Sequence, residues 1–110
     1  MKEIKAYIHR SRIADVVHAL KAAGYGNLAV IDVKSTLQPV TSQEQDYSVV
    51  LGTAVIDEMK LELVCEDSQV EEATRLIQHH ARTGRDDAGW IYVIDIGRVI
   101  KIGVNGETGG

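Results

Sequence analysis

The chain has 110 residues and a formal net charge of −4, and apolar side chains make up 45% of it. This length and balance are typical of one globular domain with a hydrophobic core. An acidic chain without a run of Lys or Arg is poorly suited to nonspecific nucleic-acid binding, so we expect no nucleic-acid partner. We also expect no transmembrane segment. The single cysteine, Cys65, cannot form an internal disulfide, which fits a cytoplasmic protein.

Two segments have the apolar spacing of amphipathic helices, with apolar residues three or four positions apart. Ser11 is the expected N-cap of the first helix, and Gly24 is its expected C-terminal glycine. The second helix is expected to begin with a capping box between Ser68 and Glu71 and to end at Gly84. The apolar stripes are Ile13, Val16, Val17, Leu20 and Ala23 in the first helix and Val70, Ala73, Ile77 and Ala81 in the second. Each stripe needs a sheet or another helix to cover it.

The remaining patterned segments are typical of strands, because apolar residues alternate with polar ones or form short β-branched runs. The expected strands are 4–9, 27–34, 59–65, 89–94 and a short last strand, 99–102. Strands and helices thus follow the order β-α-β, a long connection, and β-α-β. This order predicts one α+β domain spanning residues 1–110, a ferredoxin-like βαββαβ sandwich with a short extra C-terminal strand.

Two of the expected strands are apolar in both directions. Residues 28–33 and 90–94 carry apolar side chains at successive positions and not only at alternate ones. Two helices cover only one face of a four-stranded sheet, so a second apolar face needs another cover. A second copy of the chain is the simplest cover, and the pattern therefore predicts a homo-oligomer.

A long connection, residues 35–57, separates the two halves of the chain. Its first half is polar and contains Pro39, and its second half has strand-like residues interrupted at Gly52. A connection of this length in a small domain is typically functional or disordered. Residues 49–56 are apolar, which a purely solvated loop would avoid, so we expect this insertion to contact an effector or a partner.

Several segments resemble the PII signal-protein family. The similarity runs from residue 1 to about residue 103 without a gap. The matching segments are Met1-Lys2-x-Ile4, Gly24, Val30-x-x-Val33-Lys34, Met59 to Val64, Ala81-Arg82-Thr83-Gly84-Arg85, Gly89, Ile91-Tyr92-Val93 and Arg98 to Ile102. The resemblance implies a non-enzymatic regulatory homotrimer whose long loop, called the T-loop, contacts a membrane transporter or a metabolic enzyme. It also implies an adenine nucleotide as the effector, bound in the clefts between subunits.

The resemblance further implies where a nucleotide binds in this chain. The side chain of Glu62 and the backbone of Val64 correspond to the adenosine end. Gly89 and Lys101 correspond to the phosphate end, and Arg82 or Arg85 is a further candidate cation there; backbone amides and cations stabilise anions. No residue is expected to be catalytic or to bind a metal, and no cofactor is expected beyond the effector.

This chain departs from the family pattern at the phosphate end and in the loop. The family's Gly-Asp-Gly-Lys stands here as Asp87-Ala88-Gly89-Trp90, so the lysine is replaced by tryptophan. A family arginine is Gly103, a lysine at the loop base is Glu58, and the loop tyrosine that some members modify is Leu51. Fewer cations predict that AMP or ADP is favoured over ATP. The chain thus resembles a divergent PII-like branch such as the proteins that accompany carboxysomes and bicarbonate transporters, which makes bicarbonate a second candidate effector.

Two other functions remain open on the sequence. A metal-linked trimer resembling the divalent-cation tolerance proteins, which share this plan, would need clustered His, Cys or Asp ligands. A small hydrolase of the acylphosphatase kind would need an Arg–Asn pair beside a phosphate loop. His79 and His80 are adjacent on a helix and point in different directions, so they do not predict a shared metal ion. A regulatory trimer is therefore the leading hypothesis.

Overall fold

An antiparallel sheet carries both helices on one face. The computed structural model describes residues 1–35, 46–48, 53–84 and 88–103. The elements are β1 (Lys2–His9), α1 (Ile13–Ala22), β2 (Leu28–Ser35), β3 (Asp46–Ser48), β4 (Thr53–Cys65), α2 (Val70–His80) and β5 (Gly89–Asp95). The main strands are ordered β2-β4-β1-β5, and β3 pairs with the first residues of β4. The predicted ferredoxin-like α+β fold is therefore confirmed.

The core lies between the helices and one face of the sheet. Ile4, Ala6 and Ile8 alternate along β1 and are at most 1% exposed. Leu63 and Leu61 stand opposite Ile4 and Ala6 in β4 and are buried with them. The helices add Val16, Leu20, Ala73 and Ile77 to the same cluster. Both predicted apolar stripes thus pack on the sheet, because only this face gives them a dry surface.

Gly24 ends α1 as the sequence predicts. Its φ of +100° is a left-handed conformation that favours glycine. The Gly24 amide donates to the Lys21 carbonyl at 3.0 Å, and the Tyr25 amide donates to the Leu20 carbonyl at 2.9 Å. Together these bonds form a Schellman motif, which satisfies carbonyl groups at the end of the helix.

The predicted N-cap of α1 is wrong, because a short 3-10 turn, Arg10–Arg12, precedes the helix. The Nδ1 atom of His9 accepts a hydrogen bond from the Ser11 amide at 3.2 Å. His9 therefore caps the turn, and Ser11 lies inside it. The helix itself begins at Ile13 without a side-chain cap.

The predicted capping box of α2 is wrong in its position. A 3-10 turn again precedes the helix, and the capping box forms between Glu66 and Gln69. The Glu66 amide donates to Oε1 of Gln69 at 2.9 Å. The box thus lies upstream of the predicted Ser68, because the turn rather than the helix begins the capped segment. At its other end α2 stops at His80, before the predicted Gly84.

The long connection is partly a hairpin, because β4 begins at Thr53 rather than at Met59. Its first residues pair with β3, Asp46–Ser48, inside the segment that the sequence assigns to the loop. β4 thus runs for 13 residues from this hairpin into the core. The rest of the predicted loop, residues 36–45 and 49–52, lies outside the described residues.

The predicted short last strand does not form. Residues 96–103 are in no strand, and the apolar side chains of Val99, Ile100 and Ile102 are exposed. A strand requires a neighbour for its amides and carbonyls, and within the described chain this segment has no strand beside it. The segment is apolar, as the sequence indicates, but the strand predicted for it is wrong for the single chain.

The sheet face that points away from the helices is mixed rather than wholly apolar; we call it the open face. Its edge strands carry Ile31, Tyr92 and Ile94, which are 39% to 42% exposed. Its central strands carry ion pairs, namely Lys5–Glu3, Lys5–Glu62 and Lys60–Glu62. The predicted second apolar face is thus correct only at the edges, because the central strands β1 and β4 place charged residues at the alternate positions.

Tyr25 links the end of α1 to the start of α2. The residue is 7% exposed, and its hydroxyl donates to Oε1 of Glu72 at 2.6 Å. Burial, and then the hydrogen bond to the Glu72 carboxylate, raise the pKa of Tyr25 to about 12. The phenol therefore stays protonated in the folded chain well above its ordinary titration range.

We expect Tyr25→Phe to lower the free energy of unfolding by about 1.5–3 kcal/mol, because it removes a hydrogen bond to a charged acceptor. The pKa of Tyr25 is higher in the folded than in the unfolded chain, so its stabilisation is complete below about pH 10 and is lost as the pH rises toward 12. Urea unfolding midpoints of the two proteins should therefore converge over this range. A difference that stays constant with pH would contradict the assignment.

Candidate functional site

Gly89 stands at the point where the edge strand β5 begins. It pairs with Ile8 in the register of β1 and β5. A Cβ atom at this position would lie 2.2 Å from the carbonyl oxygen of Tyr7. Glycine is required here because the two backbones approach too closely for any side chain. Gly89 thus allows β5 to pair closely with β1 at the predicted phosphate end.

A cleft of about 890 Å³ opens beside Gly89, between α2 and β5. Its volume lies in the range of small-molecule sites. The α2 side includes Arg75, His79 and Arg82, and the β5 side includes Gly89, Trp90 and Ile91. The cleft therefore combines a basic helix surface with the edge of the sheet.

Glu62 and Val64 lie together on the open face of β4, where the resemblance places the adenosine end. The Glu62 carboxylate lies 3.3 Å from Nζ of Lys60 and 3.9 Å from Nζ of Lys5. Val64 is 46% exposed near the end of the strand. Residues two apart in a strand share a face, so an anchored carboxylate stands beside an exposed apolar side chain. This pairing is suited to a purine, which has both polar edges and an apolar ring.

One chain does not bring the two ends of the predicted site together. Val64 stands opposite Glu3, whereas Gly89 stands opposite Ile8 on the other side of β1. Five register steps amount to about 17 Å along the strands. A ligand that touched both residues of one chain would have to cross β1. A second copy of the chain must therefore supply one end if both ends are to hold the same ligand.

Lys101 and Arg85 are two of the cations predicted for the phosphate end. Lys101 is exposed in the segment that follows β5, and it is not among the residues that line the cleft. Arg85 lies outside the described residues. The structure thus supports Gly89 as part of a cleft and Glu62 with Val64 as a surface patch, and it does not join Lys101 to either.

Arg75 was not assigned to a site from the sequence, whereas Glu58 was expected at the loop base. Arg75 lines the cleft four residues before His79, and this helical spacing is the signal that could have found it. Glu58 is 5% exposed and stands opposite His9, one register step from the partner of Gly89. Its burial has no local sequence signal, because it arises only when β4 is placed between two other strands.

Other candidate chemistry is weak in the described part of the chain. No group of three His, Cys, Asp or Glu side chains there has the geometry to hold a metal ion. The rings of His79 and His80 meet edge to face, with centroids 4.9 Å apart. Burial raises the pKa of the Cys65 thiol, which makes it a poor nucleophile near neutral pH. Among the described helices, none is long and apolar enough to cross a bilayer.

Comparison with known proteins matches residues 1–105 to the family model described as Nitrogen regulatory protein P-II. The Nitrogen regulatory protein P-II of Azospirillum brasilense is 33% identical over 110 residues, which cover 100% of this chain and 97% of that protein. The protein of the same name from Porphyra purpurea is 30% identical over 105 residues, with 96% and 94% covered. Nitrogen regulatory protein P-II 1 of Methanothermobacter thermautotrophicus is 31% identical over 102 residues, with 93% and 89% covered.

The fold, the cleft at the start of β5 and a match over almost the whole chain define a small signal-transduction protein. The chain belongs to the P-II family of nitrogen regulatory proteins. Proteins of this family are regulators that in general bind adenine nucleotides, act as trimers and contact partner proteins. The family resemblance predicted from the sequence is confirmed.

Proposed function

We propose that this protein is a non-enzymatic cytoplasmic sensor that binds AMP or ADP in preference to ATP. It controls a membrane transporter or a metabolic enzyme through the long loop, residues 35–57, and bicarbonate is a second effector. The observation that carries the proposal is a cleft of ligand size, lined by Gly89 and by the basic side chains Arg75 and Arg82. Membership of a nucleotide-binding family supplies the class of ligand.

The proposed assembly is a homotrimer whose subunits cover one another's open faces. The edge residues Ile31 and Ile94 are apolar and largely exposed in the single chain. The central ion pairs join two lysines to two glutamates within each chain, so their charges balance without help from a neighbour. Burial of this face is therefore less costly than burial of unpaired charges would be. The separation of Val64 from Gly89 gives a second reason for assembly, since a neighbour can supply the missing end.

The proposed preference for AMP or ADP rests on the charges near Gly89. Trp90 follows Gly89 where the family pattern has a lysine, so no cation stands at that position. Glu58 stands at the loop base where the family pattern has a lysine, so a further cation of that pattern is replaced by an acid. Each further phosphate brings about one more negative charge that needs a cation, and a charge-assisted hydrogen bond contributes about 1.5–3 kcal/mol. A third phosphate therefore gains little at this site.

Calorimetric titration with AMP, ADP, ATP, 2-oxoglutarate and bicarbonate tests the proposal. We expect AMP or ADP to bind at least as tightly as ATP, because Trp90 leaves the third phosphate without the lysine of the family pattern. Lys101→Ala should weaken ADP about tenfold, the effect of one charge-assisted contact. Binding of ATP clearly tighter than that of ADP, strengthened by 2-oxoglutarate, would contradict the proposed preference.

A further inference from the structure

The cleft between α2 and β5 differs in charge from the chain as a whole. The chain has a formal net charge of −4. Among the described residues that line the cleft, Arg75 and Arg82 are charged, and none is Asp or Glu. A concave surface lined by one sign of charge concentrates the field and attracts ligands of the opposite sign. This end of the molecule is therefore suited to an anion.

The two arginines are also available to a ligand. Most basic side chains elsewhere in the described chain form ion pairs, namely Lys2 with Asp95, Lys5 and Lys60 with Glu62, Arg10 with Asp32 and Arg12 with Asp15. Arg75 and Arg82 are exposed, and neither forms an ion pair with another described residue. A guanidinium that faces a cleft without a carboxylate partner keeps its fork of donors for a phosphate.

The position of Arg75 connects this surface to the start of β5. Arg75 lies on α2 and Arg82 lies two residues after the helix ends at His80, and both line the same cleft as Gly89. Floor residues of the cleft include Ile8 and Ile77, which are about 1% exposed and belong to the core. The cleft thus has a rigid base, and its basic groups stand on a helix and on the turn that follows it.

We propose that Arg75, together with Arg82, binds the phosphate groups of the nucleotide in this cleft and so contributes to effector specificity. The inference deepens the proposed function and rests on it for the identity of the nucleotide. It assigns the phosphate contact to the outer face of α2, where the sequence assigned none. Adenosine, which has no phosphate, does not use Arg75.

The test compares wild type with Arg75→Gln, Arg75→Lys and the control Lys21→Gln. Lys21 is an exposed cation on α1 that does not line the cleft, so its loss lowers the net charge equally without touching the site. Glutamine is a good helix former, and Arg75 is exposed, so the variants should keep the fold. The probes are adenosine, ADP and inorganic pyrophosphate. Binding is followed by calorimetry and by the fluorescence of Trp90, which lines the cleft and is the chain's one tryptophan.

We expect Arg75→Gln to weaken ADP and pyrophosphate about tenfold and to leave adenosine unchanged. Arg75→Lys should lose less, because it keeps the charge but not the two-pronged hydrogen bonding. Lys21→Gln should match wild type. Equal ADP affinity in wild type and Arg75→Gln would overturn the inference while leaving the proposed nucleotide sensor intact. If wild type bound pyrophosphate through Arg75 but no adenine nucleotide, the cleft would stand as a phosphate site and the proposed function would fail.

Discussion

Replacement of Gly89 by alanine should lower the free energy of unfolding by about 2–4 kcal/mol and weaken ADP more than tenfold. The added Cβ would lie 2.2 Å from the carbonyl oxygen of Tyr7, so β5 must move away from β1. That movement breaks the pairing of Gly89 with Ile8 and displaces Trp90 from its position opposite Tyr7. The strand side of the cleft would shift with them. Urea unfolding and calorimetry with ADP measure the two effects.

Gly97→Ala is the matched control for this substitution. A Cβ atom at Gly97 meets nothing within 4 Å, so the same chemical change should leave both stability and ADP affinity close to wild type. If Gly89→Ala and Gly97→Ala had the same unfolding midpoint, the close approach of β5 to β1 would be wrong. If Gly89→Ala were less stable but bound ADP normally, the glycine would have a packing role only.

A homotrimer of about 36 kDa, three times the 12.0 kDa chain, should dissociate when the open face receives a charge. Ile94→Lys places a cation opposite Glu3 in the register of β1 and β5, so the single chain keeps its fold. Burying that lysine between subunits would cost several kcal/mol, because its charge would lose water. We expect light scattering to give the trimer mass for wild type and the monomer mass for Ile94→Lys.

The control is Val93→Lys on the same strand. Val93 is 46% exposed, similar to Ile94 at 40%, but it stands opposite Ile4 on the helix side of the sheet. Its lysine can extend to water at the edge of the sheet, so the trimer should persist. A monomeric wild type at micromolar concentration would contradict the proposed assembly and the intersubunit site. Dissociation of both variants would show that the whole strand, not the open face, lies at the interface.

Local patterns predicted most of the fold because they depend on neighbours in sequence. The alternation of Ile4, Ala6 and Ile8 and the apolar stripes of both helices correctly identified the core. The predicted N-caps of both helices were wrong because a 3-10 turn precedes each helix, and the capping groups bind at the start of that turn. His9 is not a residue that sequence rules favour as a cap, so its role at Ser11 needed the structure.

Features that depend on strand register were harder to predict. The charges of Lys5, Lys60 and Glu62 were visible in the sequence, but their meeting on one face requires β1 beside β4. The distance between Val64 and Gly89 likewise follows from the strand order, and it gives a geometric reason for a site between two copies, which the sequence offered only through the family resemblance. From the sequence alone, Arg75 is an ordinary solvent-exposed helix residue. Its place in the cleft becomes evident only in the tertiary structure, where the edge of β5 lies across from it.

The unbroken length of β4 limits how a structural change caused by a bound effector can reach the hairpin formed by β3 and β4. The strand carries Glu62 and Val64 near one end and pairs with β3 at the other, over 13 residues or about 43 Å. A one-residue shift in the register of β4 against its neighbours would turn its core side chains toward solvent. A register shift therefore cannot transmit the signal. No loop interrupts the strand to act as a hinge. A displacement at Glu62 can therefore reach the hairpin only as a tilt or twist of the whole strand, in which residues 56–65 pair with β1 or β2 and only the first three residues pair with β3.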